Sequence, residues 1–356
     1  MKRNQSIELL RLISIFFIVI IHMHSIFAAH SGIDRDTITI AMDTLTRFAV
    51  PVFFMITGYF IIHPNYTPIK FKQQIIKLTK YYIFYQFIYI LYYFIIALLE
   101  NKLPTFESDF ITNMKYILID PKFGFQLWYV INIIWALMII YIFNYFNKLK
   151  TLFIISIILN LIGIFISNLS MQLFHTILPI YVTRNFLFLG LFYILLGTYI
   201  RKIDINKIKF NNNIILTFSI LLCLSQVVEK SLWRKSFNST FEEYFITTIF
   251  ASISIFIFIL KSNVNNKIIE KISSYSMPIY FLHILVIDIL DSLSSHILHT
   301  NINVIRATLV GNIAFAMVVC IFSCILYDIS KKMLQLLFVK VIKPVKVTAQ
   351  LKFKSL

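Results

Sequence analysis

The sequence predicts an all-α bundle of membrane-spanning helices, and three observations carry that prediction. Hydrophobic residues make up 59% of the 356-residue chain and charged residues only 14%, against about 45–50% and about 25% in an average soluble domain. Apolar runs approach or exceed the roughly 20 residues needed to cross a bilayer, with only seven glycines and eight prolines to interrupt them. The 36 phenylalanines and 19 tyrosines suit lipid-facing and interfacial positions. Lipid admits only helices or closed barrels, because every backbone polar group must be satisfied internally. The runs show no strict apolar–polar alternation, so they are helices.

About ten spans are expected, at 7–29, 45–63, 81–99, 126–146, 152–169, 184–200, 212–229, 243–260, 274–294 and 304–329. The first follows a short basic start that resembles a signal peptide. It carries Glu8 and Arg11 and lacks a small-residue cleavage site, so it reads as a retained helix. Basic residues orient the bundle. With the N-terminus inside, roughly 22 of the 33 Lys and Arg fall in inside segments and about 7 in outside loops. Both termini are therefore expected in the cytoplasm, in a multi-pass protein of the plasma membrane. The membrane domain is expected over 1–329. A basic tail, 330–356, carries seven lysines among apolar residues and suits the anionic inner leaflet.

The net charge of +17 does not mark a nucleic-acid binder, because the basic residues sit in short runs between apolar segments. No internal repeat is evident, which counts against the architecture of many transporters. Cys223, Cys320 and Cys324 lie inside apolar segments and read as small buried hydrophobes, with no disulfide framework and no zinc spacing. No metal is expected.

Ionisable residues within spans are costly and so are functional candidates. Arg11 and His22 are eleven positions apart, three helical turns plus about 20°, and share one face about 16 Å apart along the axis. His24 points to nearly the opposite side. Glu8 sits one turn before Arg11 and is placed to pair with it. Snorkelling of Glu8 and Arg11, with His22 as a satisfied interior histidine, is the competing reading.

The stretch IELLRLISIFFIVIIH, Ile7 to His22, resembles the opening helix of the acyltransferase family 3 membrane proteins, whose motif is an arginine, ten residues and a histidine. RFAVPVFFMITGYF, Arg47 to Phe60, resembles the second-helix signature of proline, paired phenylalanines and Ser-Gly-Tyr, with Thr57 in place of the serine. QLWYV, Gln126 to Val130, is similar to a His-Leu-Trp-Phe segment, with Gln126 where histidine is common. ISSYSMPIYFLH, Ile272 to His283, resembles a late segment ending in Ile-Tyr and then histidine. Within the family the pattern resembles the enterobacterial common antigen O-acetyltransferase type, from the first span to the ninth.

The resemblance implies transfer of an acyl group, usually acetyl, from cytoplasmic acyl-CoA to a hydroxyl of a cell-surface glycan or its lipid-linked precursor. Acetyl-CoA would be the co-substrate. Arg11, near the cytoplasmic end of its helix, would orient the CoA portion. His22 would act as general base on the acceptor hydroxyl, with a covalent acyl-histidine as the alternative. Tyr280 and His283, one turn apart, would line the cavity. Arg47, Arg184 and Arg306 fall at outer ends of spans and are candidates for binding acceptor phosphates, with interface anchoring as the competing reading. Trp128 joins Glu8 among the substrate-binding candidates, although Trp128 and Trp135, seven apart on one face, also suit packing or an interfacial belt. One of Asp288 and Asp291 is placed to pair with Arg306. Gly58, Gly197 and Gly311 are expected to allow close helix approach. A transporter of a glycan or acylated intermediate, and a ligand-binding membrane domain without chemistry, are the rival classes.

Overall fold

The computed structural model describes residues 4–31, 43–61, 68–237, 244–296, 306 and 309–341, and among them every regular element is helical. The principal helices are α1 (Gln5–Ser31), α2 (Ala49–Ile61), α3 (Pro68–Leu99), α4 (Leu103–Tyr116), α5 (Trp128–Tyr145) and α6 (Leu149–Asn168). They continue with α7 (Leu191–Arg201), α8 (Asn212–Phe237), α9 (Ile246–Lys261), α10 (Lys267–Ser273), α11 (Ser276–His296) and α12 (Leu309–Val341). Eight helices among the described residues are long and apolar enough to cross a membrane, and two shorter apolar ones run over Phe186–Arg201 and Ile246–Lys261. Each of the ten segments expected from the sequence carries one of these ten helices. The chain is thus a polytopic helical membrane protein.

Burial sorts the helices into an inner and an outer set. In the α1 and α11 segments 61% of the residues are buried, and in those of α2 and α5 67%; the figure is 28% for α3, α6 and α12 and 22% for α8. The outer set shows Ile, Leu and Phe to the surroundings, among them Ile158, Phe218, Leu221 and Ile321, as lipid contact requires. Helix α1 packs against α2, α9, α10, α11 and α12 and so lies at the centre of the bundle.

Several helix starts are capped by side chains. The Asn4 carboxamide oxygen accepts from the Ser6 and Ile7 N–H groups at the start of α1, at 3.1 and 3.3 Å, a standard N-cap. At α9 the cap comes from another helix. The Glu229 carboxylate on α8 accepts from the Ile246 and Thr247 N–H groups at 2.7 and 2.9 Å, where the helix dipole also favours negative charge. Asn185 caps the π-helical turn Phe186–Gly190 that leads into α7, accepting from Leu187 and Phe188 N–H groups.

The α2–α7 contact is the tightest in the bundle. A Cβ on Gly58 would stand 1.7 Å from the Ile194 carbonyl oxygen, and one on Gly197 2.0 Å from that of Met55. The Thr198 hydroxyl donates across the seam to the Gly58 carbonyl at 3.2 Å. Without a hydrophobic force between helices in lipid, close backbone approach and interhelical hydrogen bonds hold such a pair. The expectation for Gly58 and Gly197 is met.

Several boundaries differ from the expectation. Helix α3 begins at Pro68, thirteen residues before the expected span, because its polar first turns are helical without being apolar. Helix α8 continues past 229 to Phe237 and so places Lys230 inside it. Helix α4 occupies a stretch expected to be loop, with Pro in its first turn, where its missing N–H costs nothing. Helix α12 runs unbroken from Leu309 through 330 to Val341; the rest of the expected tail, and the His24 side chain, lie outside the described residues.

Gly58→Ala, which drives a methyl into backbone, is expected to cost about 3 kcal/mol, read as a clear fall in melting temperature in detergent. An unchanged melting temperature would show that the two helices are free to separate.

Candidate active site

Helix α1 carries the two candidates at different depths. Near its N-terminus the Arg11 guanidinium donates to Glu8 at 2.8 Å, and the same carboxylate oxygen accepts from the Ser273 hydroxyl at 2.6 Å. Glu8 is 3% exposed, so its charge is held by two donors, as a buried carboxylate requires. Arg11 keeps 24% of its side chain exposed and lies over the Phe60 ring at 5.5 Å. Glu8 thus fixes Arg11, whose side chain stays partly exposed.

Arg11 lines a cavity of about 420 Å³. Lys77 and Gln74 of α3 and Ser273, Ser274 and Ser276 of the α10–α11 corner share its wall. Much of its other lining is aromatic, Phe53, Phe60, Tyr81, Tyr85, Tyr129 and Phe281 among it, with aliphatic residues between. A chamber with positive charge, hydroxyls and aromatic faces suits a long ligand with an anionic portion and an apolar arm.

His22 lies deeper on α1 and is buried. Its ring meets that of His283 on α11 at a centroid distance of 5.1 Å and the edge of Phe125 at 5.1 Å. His283 is fully buried. Its Nδ1 lies 3.1 Å from the Ile279 carbonyl and 2.8 Å from that of Tyr280. The structure therefore brings together His22, His283 and, 6.1 Å from His283, Tyr280. The two histidines come from the first and eleventh helices, and no spacing rule in the chain joins them.

A buried hub holds this arrangement. Gln126 sits in the short turn Phe125–Leu127 before α5. Its amide nitrogen donates to the Tyr89 hydroxyl at 2.5 Å and to the Phe281 carbonyl at 3.2 Å. The Tyr89 hydroxyl in turn donates to the Phe281 carbonyl at 2.9 Å, and the Tyr280 hydroxyl donates to the Gln126 carbonyl. The turn itself depends on Gly124, which adopts φ 63° and whose Cβ position would fall 2.5 Å from the Tyr89 ring. Only glycine tolerates that conformation and that closeness together. Tyr89, Phe125 and the fastening role of Gln126 were not legible in the sequence; an amide in a fully apolar stretch was the sole signal.

The remaining candidates stand at the opposite end from Arg11. Arg47 pairs with Asp43 at 2.7 Å, and Lys230 donates to Thr44 at 3.2 Å and lies 4.0 Å from Asp43. Arg184 stacks over Trp128 at 4.6 Å and approaches Asp120 at 3.7 Å, which gives Trp128 a definite partner. Arg47 and Arg184 are both within Coulombic reach of the His22 ring. Arg306 is placed differently. It forms a two-pronged pair with Asp291 and lies 4.0 Å over Phe315, while Asp288 accepts from Tyr93 at 2.7 Å. Lys230 was missed because the expected span stopped one residue short of it. Among the described residues no cluster of three or more His, Cys, Asp or Glu side chains is placed to hold a metal ion. The three cysteines are free and half-buried.

The fold and this site define a multi-helix membrane protein with a cationic cavity at one end and a buried histidine pair deeper in the bundle; Tyr280 and His283, expected in the cavity wall, are buried and do not line it. The chain matches the family 3 acyltransferase domain model over residues 4–328, nearly its whole length, and it belongs to that family. It is a membrane acyltransferase. No curated protein and no solved structure matches the chain significantly.

Tyr89→Phe removes the central hydroxyl of the hub and is expected to cost about 1–3 kcal/mol. Thermal unfolding of the detergent-purified variant measures this, and full retention of stability would show that Gln126 alone holds the turn.

Proposed function

We propose that this protein moves an acyl group, acetyl first among them, from cytoplasmic acyl-CoA to a hydroxyl of a cell-surface glycan or its lipid-linked precursor. The observation that carries the reading is the Arg11 cavity. It places two cations, Arg11 and Lys77, in one chamber, at the end of the bundle where the basic loops argue for the cytoplasm. Tyr129 and Phe281 of its lining belong also to the packing around the histidines, for Tyr129 meets Tyr280 at 5.4 Å. A donor held by its phosphates at Arg11 would reach about 16 Å along α1 to His22 with its extended pantetheine arm.

The chemistry follows from the side chains present. Arg11, pre-set by Glu8, binds and orients the CoA portion through charge-assisted hydrogen bonds. His22 removes the proton from the acceptor hydroxyl as its oxygen attacks the thioester carbonyl, the C–S bond breaks, and the His22 imidazolium returns the proton to the departing CoA thiolate. A neutral imidazole suits that work at physiological pH; formation of an acyl-histidine first is the alternative order. Arg47 and Arg184, within Coulombic reach of His22, suit an anionic acceptor such as a lipid-linked glycan phosphate, whereas Arg306 is held away in a two-pronged pair with Asp291. The likeness of the ordered motifs to the enterobacterial common antigen O-acetyltransferase type supports acetyl as the group and a plasma-membrane location, with both termini cytoplasmic.

CoA release by purified protein supplied with acetyl-CoA and native membrane lipids tests the reading. His22→Ala is expected to lower turnover by about 10²–10⁴-fold, and Arg11→Gln to raise the donor KM about tenfold or more with the acceptor KM unchanged. No CoA release from folded wild type, together with movement of a glycan across vesicles without any acyl donor, would replace the enzyme by a transporter.

Arg47→Gln and Arg184→Gln are expected to do the reverse of Arg11→Gln. Each should raise the acceptor KM about tenfold and leave that of the donor alone. An unchanged acceptor KM in both variants would remove the anionic-acceptor assignment.

A further inference from the structure

His283 holds its ring in one tautomer. Both atoms near its Nδ1, the Ile279 and Tyr280 carbonyl oxygens, accept hydrogen bonds only, so Nδ1 carries the proton. The neutral ring then has a bare lone pair at Nε2. That atom is buried and has no hydrogen-bond partner among the described residues. Leaving a buried acceptor unpaired costs on the order of 1–3 kcal/mol, and such atoms in a native interior ask for an explanation.

The geometry supplies one. A ring that bonds through Nδ1 to the carbonyls three and four residues back on its own helix turns Nε2 away from that helix. The ring that stands against it is His22 on α1, at 5.1 Å between centroids and 35° between planes. Two imidazoles joined nitrogen to nitrogen by a hydrogen bond of about 2.9 Å have centroids about 5 Å apart. The pair therefore stands at the separation of a hydrogen-bonded couple. The hub keeps α11 from drifting, since Tyr89 and Gln126 bind the Phe281 carbonyl, two residues from His283. Phe125, 5.1 Å from the His22 ring, also limits where that ring can go.

We propose that His283 is a positioning residue for His22: its Nε2 accepts the N–H of His22 and so fixes which His22 nitrogen presents its lone pair to the acceptor hydroxyl. As His22 takes up the hydroxyl proton it becomes an imidazolium, and the N–H bond to His283 strengthens. His283 itself neither gains nor loses a proton. The arrangement gives a neutral imidazole the orienting role that a carboxylate holds in a serine-protease triad, and it avoids placing an extra charge in a lipid-embedded interior. The inference rests on the acyltransfer reading in which His22 is the base.

The test is steady-state acetyl transfer by wild type, His22→Ala, His283→Leu, His283→Gln and the double variant His22→Ala/His283→Leu. His283→Leu is expected to lower kcat about 100-fold with donor KM and melting temperature near those of wild type. Gln, whose amide oxygen reaches the Nε2 position, should recover kcat to within about tenfold of wild type. The double variant should be no slower than His22→Ala alone, because a residue that acts through His22 has nothing left to position. Additive losses in the double variant, or an unchanged kcat in His283→Leu, would overturn the proposal, as would Leu and Gln variants equally slow and equally unstable. If wild type itself consumes no acetyl-CoA, the acyltransfer reading fails instead, and the two failures are told apart by that single control.

Discussion

Gln126 ties its turn to two helices: its side-chain amide donates to the Tyr89 hydroxyl on α3 and to the Phe281 carbonyl on α11, and its backbone carbonyl accepts from the Tyr280 hydroxyl, also on α11. In a lipid-embedded interior no water is at hand to take the place of any of these bonds. The turn at Phe125–Leu127 is therefore held in one position, and with it the Phe125 ring that meets His22. The approach of α11 to α1, and so the meeting of the two histidines, depends on the same constraint. Gly124 is its backbone counterpart, since any side chain there would strike Tyr89.

Around this hub the bundle divides its polar groups by depth. At one end Glu8, Arg11 and Ser273 form a closed set beside a cavity that also holds Lys77. At the other, Asp43, Arg47 and Lys230 lie together, and Arg184 stacks on Trp128. Between them the interior holds neutral hydrogen-bonding groups: tyrosines, Gln126 and the histidine pair. That pattern keeps charge near the ends, where desolvation costs least, and leaves the histidine pair among hydroxyls, an amide and aromatic rings.

The helices themselves were legible because lipid imposes a length and a composition that a sequence displays openly. Where the expectation went astray, apolarity and helicity had parted company. The polar first turns of α3 and the amphipathic α4 are helical without being lipid-like, and the end of α8 carries Lys230 into the bundle because Asp43 and Thr44 receive it. In the site, the spacing of Arg11 and His22 was visible since both lie on one helix, and Glu8 fell at the pairing distance for the same reason. The encounter of His22 with His283 joins residues far apart in the chain. The likeness of the late segment singled out His283 but gave no sign of its partner. Gln126 was read as a departure from a family pattern, and its three bonds are a property of the folded neighbours alone. The three outer arginines looked equivalent in sequence, and each meets an aspartate, Arg47 Asp43, Arg184 Asp120 and Arg306 Asp291, yet it is Arg47 and Arg184 that stand within Coulombic reach of His22.

The central claim is that the Arg11 cavity delivers the acyl donor to the histidine pair. It is tested most directly by photo-crosslinking wild-type protein in lipid vesicles with a CoA thioether that carries a photoreactive group in place of the acetyl, followed by peptide mapping. The account predicts adducts on the cavity-to-histidine path, at Tyr129, Phe281 or His22, that excess acetyl-CoA abolishes and Arg11→Gln diminishes. Adducts confined to the lipid-facing surfaces of α6 or α8, indifferent to acetyl-CoA and to Arg11, would contradict it.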